Sequence, residues 1–231
     1  INDKHSLNFT SMFAQNKRGK NSPNTNEVTD LVGEKYNSYW GYQDGEKRNS
    51  RFKDAEEPLM MLTHYWKISP KTNLNTTLSY QTGKIGNSRF DYTKSNNPDP
   101  IYYKNLPSYY TTLHSFVLGV STFTPDLTQA EVVKNEFSRN PQVDWNDIYR
   151  INKENAANGS RIVLYEDRND EDITTLNSNL STRLADNILL NAGVNLLNSK
   201  TKNFKNLLDL LGGNYYTDIT TFGFSTTIWY E

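Results

Sequence analysis

Two aromatic clusters are the residues of this chain best suited to binding chemistry. One is YNSYWGYQDG, which carries Tyr39, Trp40 and Tyr42, and the other is IYYKNLPSYY, which carries Tyr102, Tyr103, Tyr109 and Tyr110. Flat rings beside Asn and Asp can stack on a sugar or grip a peptide, and such conjunctions in loops mark binding surfaces. The competing expectation is that the rings pack long loops against one another. Patterns for catalysis and metal binding are missing. His5, His64 and His114 are far apart with no HExxH spacing, so they are expected as chance surface or strand histidines rather than ligands. The run Tyr165 to Asp172 could offer carboxylates to Ca2+, but it lacks calcium-loop spacing and Arg168 interrupts it. A solvated strand end is the expectation there. GKIGNS and LLGGN match neither GxGxxG nor a Walker loop and are expected as bends or bulges. Asp99 and Asp126 sit beside prolines as turn and cap residues, and no GxSxG nucleophile is present. Binding without catalysis, cofactor or metal is therefore expected.

The elements that must position these rings announce themselves by a period of two. In LMMLTHYWKISPKTNLNTTLSYQ, a turn at Ser69-Pro70-Lys71 sets Ile68 against Thr72, Trp66 against Leu74, Leu62 against Leu78 and Met60 against Tyr80 on one face. The other face of the second strand is Asn73, Asn75, Thr77, Ser79 and Gln81, all polar and uncharged. A second hairpin turns at Ala185-Asp186-Asn187 and sets Leu184 against Ile188, Thr182 against Leu190, Leu180 against Ala192 and Leu176 against Leu196. Its reverse pairs Ser181 with Asn191, Asn179 with Gly193 and Asn177 with Asn195. A slip of one residue would exchange these faces, so register is specified. HSLNFTSMFA and TTFGFSTTIWY alternate more weakly. Strands are expected at about 5–15, 59–68, 72–82, 161–184, 188–200 and 215–230, with long loops at about 16–57 and 83–160. Within the second loop, TPDLTQAEVVKNEF (Thr124 as cap, Pro125 first) and VDWNDIYRINKENAANG are expected as short helices.

Composition narrows the function classes. The 231 residues carry 25 Lys and Arg against 26 Asp and Glu, so no basic stripe is available for a phosphate backbone and nucleic acid is not an expected partner. There is no cysteine, which removes disulfides, thiolate metal sites and Cys nucleophiles. Mean hydropathy is -0.78, and no window approaches the roughly 18 apolar residues of a membrane helix. A spanning barrel needs only about 10 alternating residues per strand and is compatible with such a chain. The opening INDKHSLNFT shows no basic stretch followed by an apolar one, so any secretory leader is expected upstream or already removed.

A solvated sheet face ordinarily carries Lys, Glu and Arg, whereas these hairpins use Asn, Ser, Thr, Gln and Gly, which suit a crowded, watery interior. Aromatic rings at both ends of the first hairpin, Trp66 and Tyr80, fit two interfacial girdles. Minimal turns alternating with long excursions fit the short periplasmic turns and long external loops of outer-membrane barrels. The expected fold class is thus all-β: an antiparallel segment of a transmembrane β-barrel wall, with long external loops containing short helices.

GEKRNSRFKDAEEPLMMLTHYWKISPKTNLNTTLSYQTGKIGNSRFDY, NPDPIYYKNLPSYY, QVDWNDIYRINKENA, VLYEDRNDED and LLDLLGG occur in that order. Over most of residues 1–206 the chain resembles TonB-dependent outer-membrane receptors of the type carrying a carboxypeptidase-regulatory-like domain. The resemblance implies part of a 22-stranded barrel in the outer membrane of a Gram-negative cell. It also implies import of a scarce nutrient (metal chelate, glycan or peptide) powered by the TonB complex. Its implied partners are outer-membrane lipid, TonB through an N-terminal region, and a lipoprotein or other outer-membrane protein. HSFVLGVSTF and TTIWYE depart from the family pattern, and no plug or TonB box is found, so a partial receptor is expected. The alternatives are a secreted β-sandwich carbohydrate-binding module or adhesin, and a receptor-like subunit of a larger outer-membrane assembly.

Overall fold

The computed structural model describes residues 2–117, 119–219 and 225–229. The chain is predominantly β, with antiparallel pairing in its sheets. Its elements are β1 (His5–Met12), β2 (Gln15–Gly19), α1 (Asn26–Val32), β3 (Trp40–Gln43), β4 (Glu46–Asn49), β5 (Phe52–Glu56), β6 (Leu59–Ser69) and β7 (Thr72–Asp91). There follow α2 (Pro107–Thr111), β8 (His114–Val117), β9 (Val120–Phe123), α3 (Leu127–Arg139), α4 (Trp145–Glu154), β10 (Val163–Ala185), β11 (Ile188–Asp209), β12 (Tyr215–Ile219) and β13 (Ser225–Trp229). Among the described residues no helix is long and apolar enough to cross a membrane.

The principal sheet has seven strands, ordered β1-β6-β7-β10-β11, with β5 also on β7 and β2 on β5. Its path ends at β1 and β11, so among the described residues the sheet is open. The first hairpin has the expected register: Met60 faces Tyr80, Leu62 faces Leu78 and Trp66 faces Leu74. Near the turn, however, Ser69 rather than Ile68 pairs with Thr72, because the register shifts between Lys67 and Ser69. This is the bulge that an extra turn residue imposes. Thr72 bonds Thr182 at 2.8 Å, Thr76 bonds Ser178 at 2.9 Å, and Thr82 donates to Asp172 at 2.7 Å, which fixes β10 on β7. That spacing sets Leu78 beside Leu176. A Cβ on Gly193 would strike Asn179 Oδ1, as the expected pairing of those two residues requires.

Four stretches differ from their sequence expectation. GKIGNS is not a bend: β7 continues through it because Ala55 pairs with Ile85 and Lys53 with Asn87 on β5. Asp126, not Thr124, caps α3, since its carboxylate accepts from the Gln129 N–H. Glu166 is buried, not solvated, whereas Arg168 pairs with Asp170 at 2.9 Å in the same run. The stretch taken as a loop from about 16 to 57 holds a hairpin, β3 with β4, turned at Asp44-Gly45 with φ of 51° and 84°. Two positive φ values are the signature of a type I′ turn, for which Asp-Gly is a preferred sequence. LLGGN does turn, with Leu211 and Gly212 both at positive φ. Of the weak C-terminal pattern, Phe222 and Phe224 lie outside the described residues.

The chain divides into two compact units: Ile1–Arg18 with Lys53–Asn87 and Asp167–Asn206, and Gly19–Phe52 with Ser88–Glu166 and Leu207–Glu231. They differ in kind. Every buried hydrophobic side chain described, from Val28 to Tyr216, belongs to the second unit. The first exposes Leu7, Phe9, Met60, Leu62, Leu78, Leu176, Val194 and Leu196, with Leu78 50% and Leu196 60% accessible. A sheet whose apolar side is this open is covered by no second layer of the described chain.

Candidate functional site

The aromatic clusters lie in the second unit, and its core explains their placement. Trp145 is fully buried at the start of α4, with Phe90 edge-on at 5.2 Å and the Arg48 guanidinium 4.3 Å over its ring. Val143, Ile148, Ile162, Leu164 and Leu211 complete that cluster. A smaller one joins Val28 of α1, Leu106 and Phe137 of α3. Leu106 immediately precedes α2, so burying it anchors the tyrosine segment. Glu27 of α1 reinforces the anchor by accepting from the Ser108 N–H at 2.7 Å and its hydroxyl at 2.6 Å.

Tyr102, Tyr103, Tyr109 and Tyr110 form one continuous chain of edge-to-face rings, with centroid separations of 4.6, 5.2 and 5.0 Å. Tyr103 is the most open, at 51%. The Tyr102 phenol is held above its usual range, first by a hydrogen bond with Tyr103. Asp99 organises the loop beneath, accepting from the Ile101 N–H at 3.2 Å. Burial pushes its carboxyl above the usual range, against the opposing pull of that N–H and of Arg51. Tyr36, which donates to the Pro141 carbonyl, has its phenol raised by burial and by Asp99.

Trp40 and Tyr42 form a second group on β3, edge-to-face at 5.5 Å, with the Lys47 ammonium 3.8 Å over Trp40. Gly41 between them has no room for a Cβ, which would collide with the Val143 carbonyl. Val143 N–H in turn donates to the Trp40 carbonyl, so the hairpin is seated on the segment leading into α4. Tyr39 belongs to neither chain of rings and lies under the Arg51 guanidinium at 4.8 Å. The seven aromatic candidates thus resolve into a tyrosine ladder, a Trp-Tyr pair with a cation overhead, and a separate tyrosine. Such surfaces can stack on flat or ring-shaped ligands, and a cation over indole adds charge selectivity.

Two features escaped the sequence. Asn152 is fully buried and donates to the carbonyls of Ile162, Leu210 and Leu211 at 2.7, 3.1 and 3.0 Å. Its Oδ1 accepts from Arg161 and Ile162 at 2.9 and 3.1 Å. The other is a pair of histidines, His5 and His64, whose ring nitrogens approach to 3.1 Å. No group of three or more His, Cys, Asp or Glu able to hold a metal occurs among the described residues.

Comparison with known proteins adds no relative. The chain matches no protein-family model, no curated protein and no solved structure.

Proposed function

We propose that this chain is a barrel-wall and loop segment of a TonB-dependent outer-membrane receptor that binds a scarce nutrient at its loops and imports it unchanged. One observation carries the reading: the first unit presents an open leucine face and an amide face, and among its described residues no hydrophobic side chain is buried. In water, such a face would cost about 25 cal/mol for every Å2 of apolar surface left wet. Against hydrocarbon the same face is in its preferred medium, and the ladder pairs the backbone of the inner strands β6, β7 and β10, leaving the edges at β1 and β11 for further strands of the wall.

Dimensions support it. The apolar alternation runs from Trp66, opposite Leu74, to Tyr80. The seven residues from Leu74 to Tyr80 span about 20 Å along the strand and, at a tilt of about 40°, cover about 15 Å of the roughly 25 Å apolar band of such barrels. Beyond Tyr80 the character changes at once. Thr82 bonds Asp172, Lys84 pairs with Glu56 at 2.9 Å, and these with Arg168, Asp170 and Lys202 line an open cavity of about 430 Å3. Charge that begins one or two residues past a ring is what a membrane boundary requires. Both tight turns lie together at the other limit, where the Arg183 N–H donates to the Lys71 carbonyl. The long connections leave from the opposite strand ends, and they carry the rings. Outer-membrane lipid is the partner of the leucine face in this reading. The TonB complex and an external lipoprotein are partners of the whole receptor.

Phase partition tests the proposal. The purified chain should enter the detergent-rich phase of a clouding nonionic detergent and co-elute with micelles. Recovery from plain buffer as a folded monomer would overturn the membrane assignment and return the secreted-module alternative.

A further inference from the structure

We propose that His5 and His64 form a chelating site for a borderline first-row transition-metal ion, of which Cu2+, Zn2+ and Ni2+ are the fitting members. The β1–β6 register pairs His5 with Trp66 and Leu7 with His64, so the two histidines are diagonal neighbours on one face of the sheet. His5 Nδ1 and His64 Nε2 are 3.1 Å apart, and the rings are within 5° of parallel. Two imidazole nitrogens bound to one metal at about 2.0–2.1 Å stand about 2.9 Å apart at a right angle and about 3.4 Å apart at the tetrahedral angle. The observed separation falls between those limits. Rotations of roughly 40° about the terminal side-chain torsions, which are broad for histidine, would turn both lone pairs from each other toward a shared ion.

The pair is held rather than incidental. Eight consecutive residue pairs lock β1 to β6, and the Lys67 N–H donates to the Lys4 carbonyl just beside it. Trp66 stacks on His5 at a centroid distance of 5.4 Å, which restricts that ring further. Among the described residues the only side-chain hydrogen bond of either imidazole is to the other. Both residues are partly exposed and stand on the leucine side beside Trp66, at the turn end of the hairpin, so an ion reaches them from the aqueous edge of that face. With two protein ligands and no third nearby, the remaining coordination positions are left to water or an exogenous donor. This makes the site exchangeable rather than structural. Imidazole pairs favour copper, nickel and zinc over the hard cations that carboxylates hold. In the proposed membrane setting the pair lies on the lipid-facing side at the level of the Trp66 ring, where that face meets water.

Cu2+ titration of the full chain in detergent micelles tests it, with electron paramagnetic resonance reporting ligands and tryptophan fluorescence reporting proximity. One ion per chain should bind through two imidazole nitrogens and quench Trp66, and Trp66→Phe should remove most of that quenching while leaving the resonance signal. His5→Ala and His64→Ala should each weaken binding at least tenfold, whereas His114→Ala should not change it. Equal affinity in the His64→Ala variant, or a bound ion with fewer than two imidazole ligands, would overturn the site and leave the pair as a strand-to-strand hydrogen bond. Should either variant fail to fold, imidazole nitrogen chemical shifts of the unmodified chain with Zn2+ decide instead. Joint displacement of the His5 and His64 signals supports chelation, and its absence refutes it.

Discussion

Leu78→Arg is expected to destabilise the lipid-inserted chain by about 2–4 kcal/mol, and Asn75→Arg, three residues away on the opposite face of the same strand, by less than about 1 kcal/mol. Leu78 faces Leu62 across the hairpin, lies beside Leu176 and is half exposed. It sits within the apolar stretch, two residues short of Tyr80, where lipid hydrocarbon would have to solvate a guanidinium. Asn75 pairs with Tyr65 on the reverse face, where water would hydrate the new charge. In a sheet bathed by water on both sides, the two substitutions would have similar, small effects of about 0.5 kcal/mol. Denaturant unfolding from lipid vesicles reads the contrast, and equal effects would remove the support for a lipid-facing leucine side.

Asn152→Ala is expected to cost about 3–5 kcal/mol in the second unit, by a different mechanism. The side chain occupies a fully buried position within hydrogen-bond distance of five backbone groups, three carbonyls that share its two amide hydrogens and two N–H groups, from the segments at 161–162 and 210–211. Leu210 keeps a second donor in the Ser160 hydroxyl at 2.7 Å, so its carbonyl is not wholly orphaned. The other groups lose a partner in a place water does not reach, at about 1–3 kcal/mol each before relaxation. Asn152→Asp should be at least as severe, because an acceptor would then face three carbonyl oxygens. Thermal melts followed by near-ultraviolet dichroism, to which the buried Trp145 contributes, measure the loss. A variant within about 0.5 kcal/mol of the parent would show that this residue does not tie the unit together.

What the sequence discloses here depends on the range of the interaction. Both hairpins were legible because period-two patterning and a short turn are local. The pairing of Met60 with Tyr80 follows from the alternation alone. The Asp44-Gly45 turn was equally local, yet it was hidden by reading 16–57 as one loop. A preferred hairpin dipeptide between TyrTrpGlyTyr and a basic strand was the available signal. Asn152 was not legible, since nothing in a helix sequence tells a solvated asparagine from one whose partners lie 10 and 58 residues away. The histidine pair is intermediate. Fifty-nine residues separate His5 from His64, but the β1 pattern, once aligned with β6, places them as diagonal neighbours. The aromatic segments lie in the second unit, but Trp40 and Tyr42 are on the strand β3 and Tyr109 and Tyr110 on α2 rather than in loops. Their division into a ladder, a pair and a lone ring arises from Leu106, Glu27 and Gly41, whose roles exist only after folding.

The central claim is that the leucine side of the first unit meets hydrocarbon and the amide side meets water. The chain has no cysteine, so single-cysteine variants can be labelled one position at a time. Nitroxides placed in turn at residues 74 to 81 of the lipid-reconstituted chain can be probed with oxygen, which concentrates in hydrocarbon, and with a water-soluble nickel chelate. Oxygen accessibility should peak at 74, 76, 78 and 80, and nickel accessibility at 75, 77, 79 and 81, in strict opposition. Nickel access at both sets of positions, with no alternation, would contradict the account.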